Sequence, residues 1–141
     1  MQPINILLVE DNEGDILLTT EAFEDSKIAN KLNVIKDGQK AIEFFEKLID
    51  ESQLPNLMIL DVNLPRISGH EVLAYLKGHK KYKSIPVIMF STSSSESDIA
   101  ASYNNHVNCY ITKPYDSRDF TEVIQKIQDF WIKTATISGQ A

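Results

Sequence analysis

The stretch that decides the fold is Leu57-Met58-Ile59-Leu60-Asp61-Val62-Asn63-Leu64-Pro65. Four apolar residues run without interruption into Asp61, a pattern typical of a strand that is buried on both faces of a parallel sheet. Pro65 keeps the chain from continuing as an interior strand. We therefore expect Asp61 at the carboxyl end of this strand, which is where open α/β sheets place their ligand crevice.

Apolar runs and helical patterns alternate on both sides of this stretch. Strands are predicted at residues 4–9, 32–35, 57–60, 87–90 and 107–111. Helices are predicted near residues 15–24, 41–49, 70–77, 99–103 and 117–131. This alternation indicates the α/β class, with a doubly wound five-stranded parallel sheet and right-handed crossovers. No repeat or linker is visible, so we expect one domain at residues 1–133 and a flexible tail at 134–141.

Composition and charge exclude several classes of protein. The 141 residues carry a net charge of −6, which argues against a direct nucleic-acid partner, since phosphate contacts need clustered Lys and Arg. No apolar segment approaches the ~20 residues of a membrane span. The amino terminus lacks the regions of a signal peptide, and Cys109 is the single cysteine, so we expect a cytoplasmic protein without disulfides.

Polar side chains lie at the carboxyl ends of four of the five predicted strands. They are Glu10, Asp11, Asp61, Ser91 and Lys113. Parallel strands present their carboxyl ends at one edge of the sheet, so we expect these side chains to surround one crevice. Three carboxylates so close together would repel one another unless a cation neutralised them. Ligands that offer only oxygen suit a hard ion, and Mg²⁺ is the usual one where phosphate is handled.

The other two groups in this set point to phosphate chemistry. Lys113 supplies a positive charge for phosphoryl oxygens and Ser91 a hydroxyl donor. With a carboxylate nucleophile and a divalent cation, these are the parts needed for phosphoryl transfer to Asp61. The chain has no glycine-rich loop of the type that binds ATP phosphates. Asn63 occupies the position, two residues after the nucleophile, where an aspartyl-phosphate phosphatase would need a second aspartate.

Four segments together resemble the receiver domains of two-component response regulators. They are residues 8–12, 60–65, 86–91 and 110–114, in the order and spacing of that family. The resemblance covers nearly the whole chain. It implies five helices and the flavodoxin-like strand order 2-1-3-4-5. It also implies a signalling domain, rather than an enzyme, that promotes its own Mg²⁺-dependent phosphorylation and dephosphorylation.

The resemblance assigns roles to the residues at the strand ends. Asp61 would accept a phosphoryl group from a histidine kinase, assisted by Lys113. Asp11, Asp61 and the backbone carbonyl of Asn63 would bind Mg²⁺, and Glu10 would act on it through water. Many relatives have Asp at the position of Glu10.

The resemblance also implies a switch. Ser91 and Tyr110 would form the switch pair, in which the hydroxyl moves toward the phosphoryl group and the ring turns inward. The peptide bond between Lys113 and Pro114 would be cis, as is common in the family.

A narrower similarity concerns residues 12–16, 106–113 and 130–131. These look like the small stand-alone regulators that are partnered with phytochrome-type histidine kinases. Such regulators often dimerise through the face of the fourth helix, fifth strand and fifth helix, which makes a homodimer through this face an expectation. The downstream partner is not identified by the sequence.

Other interpretations remain open at this point. Asp11, Asn12 or Asp15 could cap the first helix. Phe130 and Trp131 could cover the core or lie in an interface. The three histidines share no metal-ligand spacing and are interpreted as surface residues. The chain as a whole could be a receiver-fold binding module that is never phosphorylated, or a Mg²⁺-dependent phosphohydrolase.

Overall fold

Five strands alternate with five helices in the computed structural model, which describes residues 3–137. The strands are β1 (Ile4–Val9), β2 (Asn30–Ile35), β3 (Leu57–Leu60), β4 (Val87–Ser91) and β5 (Cys109–Thr112). The helices are α1 (Glu13–Glu24), α2 (Gly38–Glu46), α3 (Gly69–Lys77), α4 (Glu96–Asn104) and α5 (Ser117–Ile127). A 3-10 turn at Glu51–Gln53 precedes β3, and α5 continues as a π-helical segment, Gln128–Thr134.

The sheet is parallel throughout and has the order β2-β1-β3-β4-β5. The predicted fold class and strand order are therefore confirmed. Leu60 of β3 is in register with Val9 of β1 and with Met89 of β4. Ser91, the last residue of β4, is in register with Thr112, the last residue of β5. The residues that follow β1, β3 and β5 consequently leave the sheet at the same edge.

Alternate residues of the central strands pack into two cores, one on each face of the sheet. Met58 and Leu60 of β3 lie in the core formed with α2 and α3. Leu57 and Ile59 lie in the opposite core, formed with α1 and α5. All four residues of β3 are at most 1% exposed, as their unbroken apolar sequence predicts. Asp61 continues this strand with its own backbone N–H bonded to Val9 O at 3.1 Å.

Each α-helix begins with a polar side chain that accepts a backbone N–H of the first turn. The capping residues are Asn12, Asp37, Ser68, Ser95 and Asp116. At α1 the cap is Asn12, whose Oδ1 accepts the N–H of Asp15 at 2.9 Å. The choice among the three candidate caps of this helix is thereby resolved, and the carboxylates of Asp11 and Asp15 are left for other contacts.

The bounds of β2, α2 and β5 and the form of one peptide bond differ from the sequence predictions. β5 begins at Cys109 rather than at 107, because His106 adopts a positive φ of 68° and Val107 N–H bonds to Ser102 O, which keeps this stretch in the turn after α4. The prediction of a cis bond between Lys113 and Pro114 is wrong, since residues 3–137 contain no cis peptide. The trans form is the lower-energy state of an X–Pro bond.

The carboxyl-terminal residues that the structure describes follow α5 and end at Ile137. Of the tail expected at 134–141, residues 138–141 lie outside the described residues. Thr134 ends the π-helical segment and Ile137 is 5% exposed. Within the part of the chain that is described, no helix has the length and apolar character needed to cross a membrane.

Candidate functional site

Charged side chains from the ends of β1, β3 and β5 meet below the surface at the carboxyl edge of the sheet. Glu10, Asp61 and Lys113 are 3%, 7% and 4% exposed. Buried charges of this kind are rare unless they are paired. The strand ends explain why they meet, since each of these three residues directly follows the last residue of its strand. The sequence prediction of one shared crevice agrees with this placement.

Lys113 is the centre of the cluster. Its ammonium donates to Glu10 Oε1, to Asp15 Oδ2 at 2.9 Å and to Asp61 Oδ2 at 3.0 Å. Its backbone N–H bonds to Ser91 O at 2.7 Å, which fixes the end of β5 to β4. Burial alone would lower the pKa of Lys113, but the hydrogen bonds to Glu10 and Asp15 and the negative charges of Asp61 and Glu10 together outweigh burial and raise it. The ammonium is therefore a permanent positive charge next to Asp61.

Both oxygens of Glu10 have fixed partners. Oε1 accepts from Lys113, and Oε2 accepts the backbone N–H groups of Asp11 at 3.0 Å and Asn12 at 3.1 Å. Burial raises the pKa of Glu10, and the negative charge of Asp61 raises it further. Lys113 opposes both effects, and the resulting pKa is about 7. A nearby cation would favour the charged form of this carboxyl and so lower its pKa.

Three carboxylates could hold a metal ion together. One oxygen each from Glu10, Asp11 and Asp61 lies within 4.8 Å of the other two. Asp11 is exposed to solvent, so an ion bound here would keep part of its water shell. An all-oxygen site with retained water fits a hard divalent cation. The chemistry of these acidic residues therefore fits a divalent metal site, with the Lys113 ammonium hydrogen-bonded to Asp61 beside it.

The main chain around Asp61 packs tightly against the start of α3. Asp61 Oδ1 accepts the N–H of Asn63 at 3.3 Å, which turns the chain away from the sheet. Gly69 at the start of α3 donates to Val62 O at 2.8 Å. A Cβ at Gly69 would lie 1.9 Å from Asp61 O and 2.8 Å from Val62 Cα, so only glycine fits there. α3 thus packs directly on the backbone that carries Asp61.

The two residues of the expected switch pair lie on adjacent strands. Ser91 is fully buried at the end of β4, and its Oγ accepts the N–H of Ser93 at 3.3 Å. Tyr110 on β5 is half-buried, and its hydroxyl donates to Ser93 O at 2.7 Å. Burial raises the pKa of the Tyr110 phenol, which keeps it a hydrogen-bond donor. Both side chains therefore contact the same turn between β4 and α4.

A polar network extends from this turn to α3. Ser93 Oγ donates to Asp98 Oδ2 at 2.5 Å, and His70 Nε2 lies 3.0 Å from Asp98 Oδ1. Hydrogen bonds from Ser93 and then from His70 hold the pKa of Asp98 below its usual value. The interpretation of His70 as a simple surface residue is wrong, because its side chain is only 22% exposed and pairs with α4.

Sequence reasoning missed Asp15 and His70 as members of these networks. Asp15 was considered only as a helix cap. It lies in the first turn of α1, a few residues after the acidic end of β1, and this position could have indicated a side chain near the same edge. Asn63 is exposed beside Asp61.

Comparison with known proteins adds an independent line of information. The sequence matches the family described as the response regulator receiver domain over residues 6–125. It is 42% identical over 137 residues to response regulator Rcp1 from Synechocystis sp., covering 96% of this chain and 93% of that protein.

Two solved structures are similar along their whole length. The Mn²⁺-bound form of response regulator Rcp1 has a TM-score of 0.91 at 40% identity, covering 97% of this chain and 100% of that one. The phosphorylated cyanobacterial phytochrome response regulator RcpA has a TM-score of 0.92 at 38% identity, covering 98% of this chain and 100% of that one.

Proposed function

Because the chain belongs to the response regulator receiver domain family of two-component signalling, we propose that Asp61 accepts a phosphoryl group from a histidine kinase. The single observation that carries this proposal is the pairing of Asp61 Oδ2 with the buried ammonium of Lys113 at 3.0 Å. This pair combines a carboxylate nucleophile with a fixed positive charge for the oxygens of an arriving phosphoryl group. The phosphoryl lifetime then determines how long the signal lasts.

The reaction is an in-line displacement at phosphorus. An oxygen of Asp61 forms a bond to phosphorus while the phosphorus–nitrogen bond of the kinase phosphohistidine breaks, and the electron pair stays on the imidazole nitrogen. The product is a mixed anhydride of phosphate and the Asp61 carboxyl, which water can hydrolyse. Lys113 offsets charge on the phosphoryl oxygens during transfer. Ser91 Oγ, buried at the end of β4, is the hydroxyl that would donate to the transferred group.

We propose Mg²⁺ as the divalent cation of this site. Asp11, Asp61 and the backbone carbonyl of Asn63 would hold it directly, and Glu10 would contact it through water. The all-oxygen donor set and the exposure of Asp11 suit an ion that keeps several waters. When bound, such a cation supplies positive charge that balances the transferred phosphoryl group.

The readout is proposed to be a population shift between two arrangements of the β4–α4 turn. Ser91 and Tyr110 both contact this turn at Ser93. If Ser91 were drawn toward a phosphoryl group on Asp61, its contact with the Ser93 N–H would change, and the Tyr110 ring would follow. The face that includes α4 and β5 would thereby change its binding properties.

A second copy of the chain is the proposed occupant of part of that face. An apolar groove of about 420 Å³ lies between β5 and α5 and reaches the π-helical segment. Among the residues lining it are Ile111, Val123, Ile127, Phe130 and Trp131. Phe130 is 55% exposed, and β5 is an edge strand of the sheet. Exposed apolar surface next to an edge strand favours association.

The kinase is proposed to be of the phytochrome type and the setting to be the cytoplasm. Support for the kinase comes from the likeness to the phosphorylated cyanobacterial phytochrome response regulator RcpA. A panel of purified histidine kinases, each loaded with phosphoryl, would test this assignment by the rate of transfer to the protein.

The central experiment is phosphorylation by a small donor. The protein is incubated with acetyl phosphate and Mg²⁺, and the mass is measured with and without base treatment. We expect a gain of one phosphoryl group that is stable in acid and lost in base. Asp61→Asn should abolish the gain, whereas Asp25→Asn, an exposed aspartate at the end of α1, should retain it.

The same experiment separates the alternatives. Absence of the gain in the wild type, or its persistence in Asp61→Asn, would overturn the proposal and favour a binding module that is never phosphorylated. Release of more than one equivalent of product from a generic phosphoester would instead favour a phosphohydrolase.

A further inference from the structure

Every hydrogen of the Lys113 ammonium is already engaged. A lysine ammonium has three N–H donors. In this protein they go to three different carboxylates, Glu10, Asp15 and Asp61. The Lys113 side chain is only 3% exposed, so water has little access to it. Any additional acceptor, such as an oxygen of a phosphoryl group on Asp61, has to displace one of these three partners.

The three partners differ in how easily they can be displaced. Glu10 is 4% exposed at its side chain and is also held by two backbone N–H groups, so breaking its contact would leave a buried charge unpaired. Asp61 is the group that would carry the phosphoryl. Asp15 differs from both, because its side chain is 24% exposed and water can replace the ammonium as its partner.

The placement of Asp15 also differs from that of the other two. It lies in the first turn of α1, outside the sheet, whereas Glu10 and Asp61 directly follow strands. Negative charge is favoured in the first turn of a helix, because the N–H groups there are positive. A displaced Asp15 carboxylate would therefore remain stabilised by its own helix and by solvent.

We propose that Asp15 is a positioning residue for the phosphoryl reaction and acts through Lys113. In the unphosphorylated protein Asp15 holds the third N–H of the ammonium, and it releases that N–H to a phosphoryl oxygen when Asp61 is modified. Asp15 competes with the phosphoryl group for Lys113, so its charge weakens phosphoryl binding at this site. This inference rests on the proposed function of Asp61.

The test is the affinity for a phosphoryl analogue at saturating Mg²⁺. Beryllofluoride is titrated into the wild type and into Asp15→Asn by isothermal titration calorimetry. We expect Asp15→Asn to bind beryllofluoride roughly threefold to tenfold more tightly, the effect of one partly exposed charged hydrogen bond. The initial rate of phosphorylation by acetyl phosphate should rise in the same direction. A role of Asp15 in folding alone would produce weaker binding, not tighter binding.

Two further variants separate the contact from the charge. Glu13→Gln removes the same charge from the same turn of α1, but the Glu13 side chain is 74% exposed and pairs with Lys36 instead of Lys113. It should leave beryllofluoride affinity within about twofold of the wild type. Asp15→Glu retains the carboxylate and should also stay close to the wild type. Asp15→Ala provides a second measurement if Asp15→Asn folds poorly.

The outcomes distinguish the proposed role of Asp15 from the proposed phosphorylation of Asp61. Tighter binding in Asp15→Asn with unchanged binding in Glu13→Gln supports the inference. Unchanged or weaker binding in Asp15→Asn, or an equal rise in Glu13→Gln, overturns it while leaving the phosphorylation of Asp61 intact. A wild type that neither binds beryllofluoride nor gains a phosphoryl group from acetyl phosphate overturns the proposed function, and this inference with it.

Discussion

His70 Nε2 lies 3.0 Å from Asp98 Oδ1 and thereby connects the first turn of α3 to the first turn of α4. Asp98 Oδ2 accepts from Ser93, whose carbonyl accepts from Tyr110. One aspartate therefore ties α3, α4 and the turn beside the phosphoacceptor edge into a single polar network.

Asp98→Asn should loosen this network. The neutral amide accepts more weakly than the carboxylate from His70 and from Ser93, so we expect a loss of about 1 kcal/mol in the free energy of unfolding. Urea denaturation followed by circular dichroism measures this change. Glu96→Gln, which removes the same charge from an exposed position in the same turn of α4, serves as the control. Equal losses in the two variants would show that the network adds no stability.

Lys113→Met should destabilise the metal-free protein by about 3 kcal/mol at neutral pH. Three carboxylates would lose their shared partner, and uncompensated buried charge is costly. Addition of Mg²⁺ should recover part of the loss, because the cation supplies the missing positive charge. The measurement is urea unfolding with and without Mg²⁺.

The control for this experiment is Lys36→Met. Lys36 is 55% exposed and pairs with Glu13 at the surface, so its loss should cost at most about 0.5 kcal/mol and should not respond to Mg²⁺. A Lys113→Met variant as stable as Lys36→Met would contradict the view that the ammonium neutralises the cluster.

The pH dependence of stability should show the raised pKa of Glu10. Between the ordinary value of 4.5 and about 7, folded Glu10 retains a proton that the unfolded chain has released. Raising the pH through this window therefore lowers the stability of the metal-free protein. Since a bound cation requires the charged form, affinity for Mg²⁺ should fall by up to about tenfold per pH unit below about 7.

Thermal unfolding across this pH range, with and without Mg²⁺, checks both expectations. Glu10→Gln cannot titrate, and the pH dependence attributed to this residue should disappear in it. A metal-free slope that is the same in Glu10→Gln and in the wild type would assign the effect to another group.

Tyr110→Phe should separate phosphorylation from its readout. The variant loses the 2.7 Å bond to Ser93 O, which costs about 1 kcal/mol, but it leaves Asp61 and Lys113 unchanged. We expect normal phosphorylation by acetyl phosphate and a smaller change in oligomeric state on adding beryllofluoride, measured by light scattering. Tyr103→Phe is the matched control, since it loses the bond from Tyr110 N instead. An unaltered response in Tyr110→Phe would show that the Tyr110 hydroxyl has no role in the switch.

The strand ends were predictable because their positions follow from local pattern and from one topological rule. Apolar runs indicate where each buried strand stops, and parallel strands stop at one edge. The positions of Glu10, Asp61 and Lys113 could therefore be predicted without knowing where the helices lie. The strand order followed from the resemblance to receiver domains.

The helical members of the site could not be predicted in the same way. Which side chain of a helix faces the sheet edge depends on the rotation of the helix, and α1 has an irregular apolar pattern in which Leu17 is 58% exposed. The contact between His70 and Asp98 joins residues 28 positions apart, and it depends on the exact paths of two loops. The start of β5 was misplaced because a positive φ is usually signalled by glycine in the sequence, and here the residue with a positive φ is His106.

The close contact between Gly69 and the carbonyl of Asp61 divides the site into a fixed flank and an adjustable one. On the α3 side, backbone lies against backbone, so Asp61 cannot shift without carrying a whole helix with it. On the α4 side, hydroxyl and carboxylate groups can exchange partners while the main chain stays nearly in place. We therefore expect chemistry at Asp61 to be transmitted toward α4 and β5, through side chains that can exchange partners.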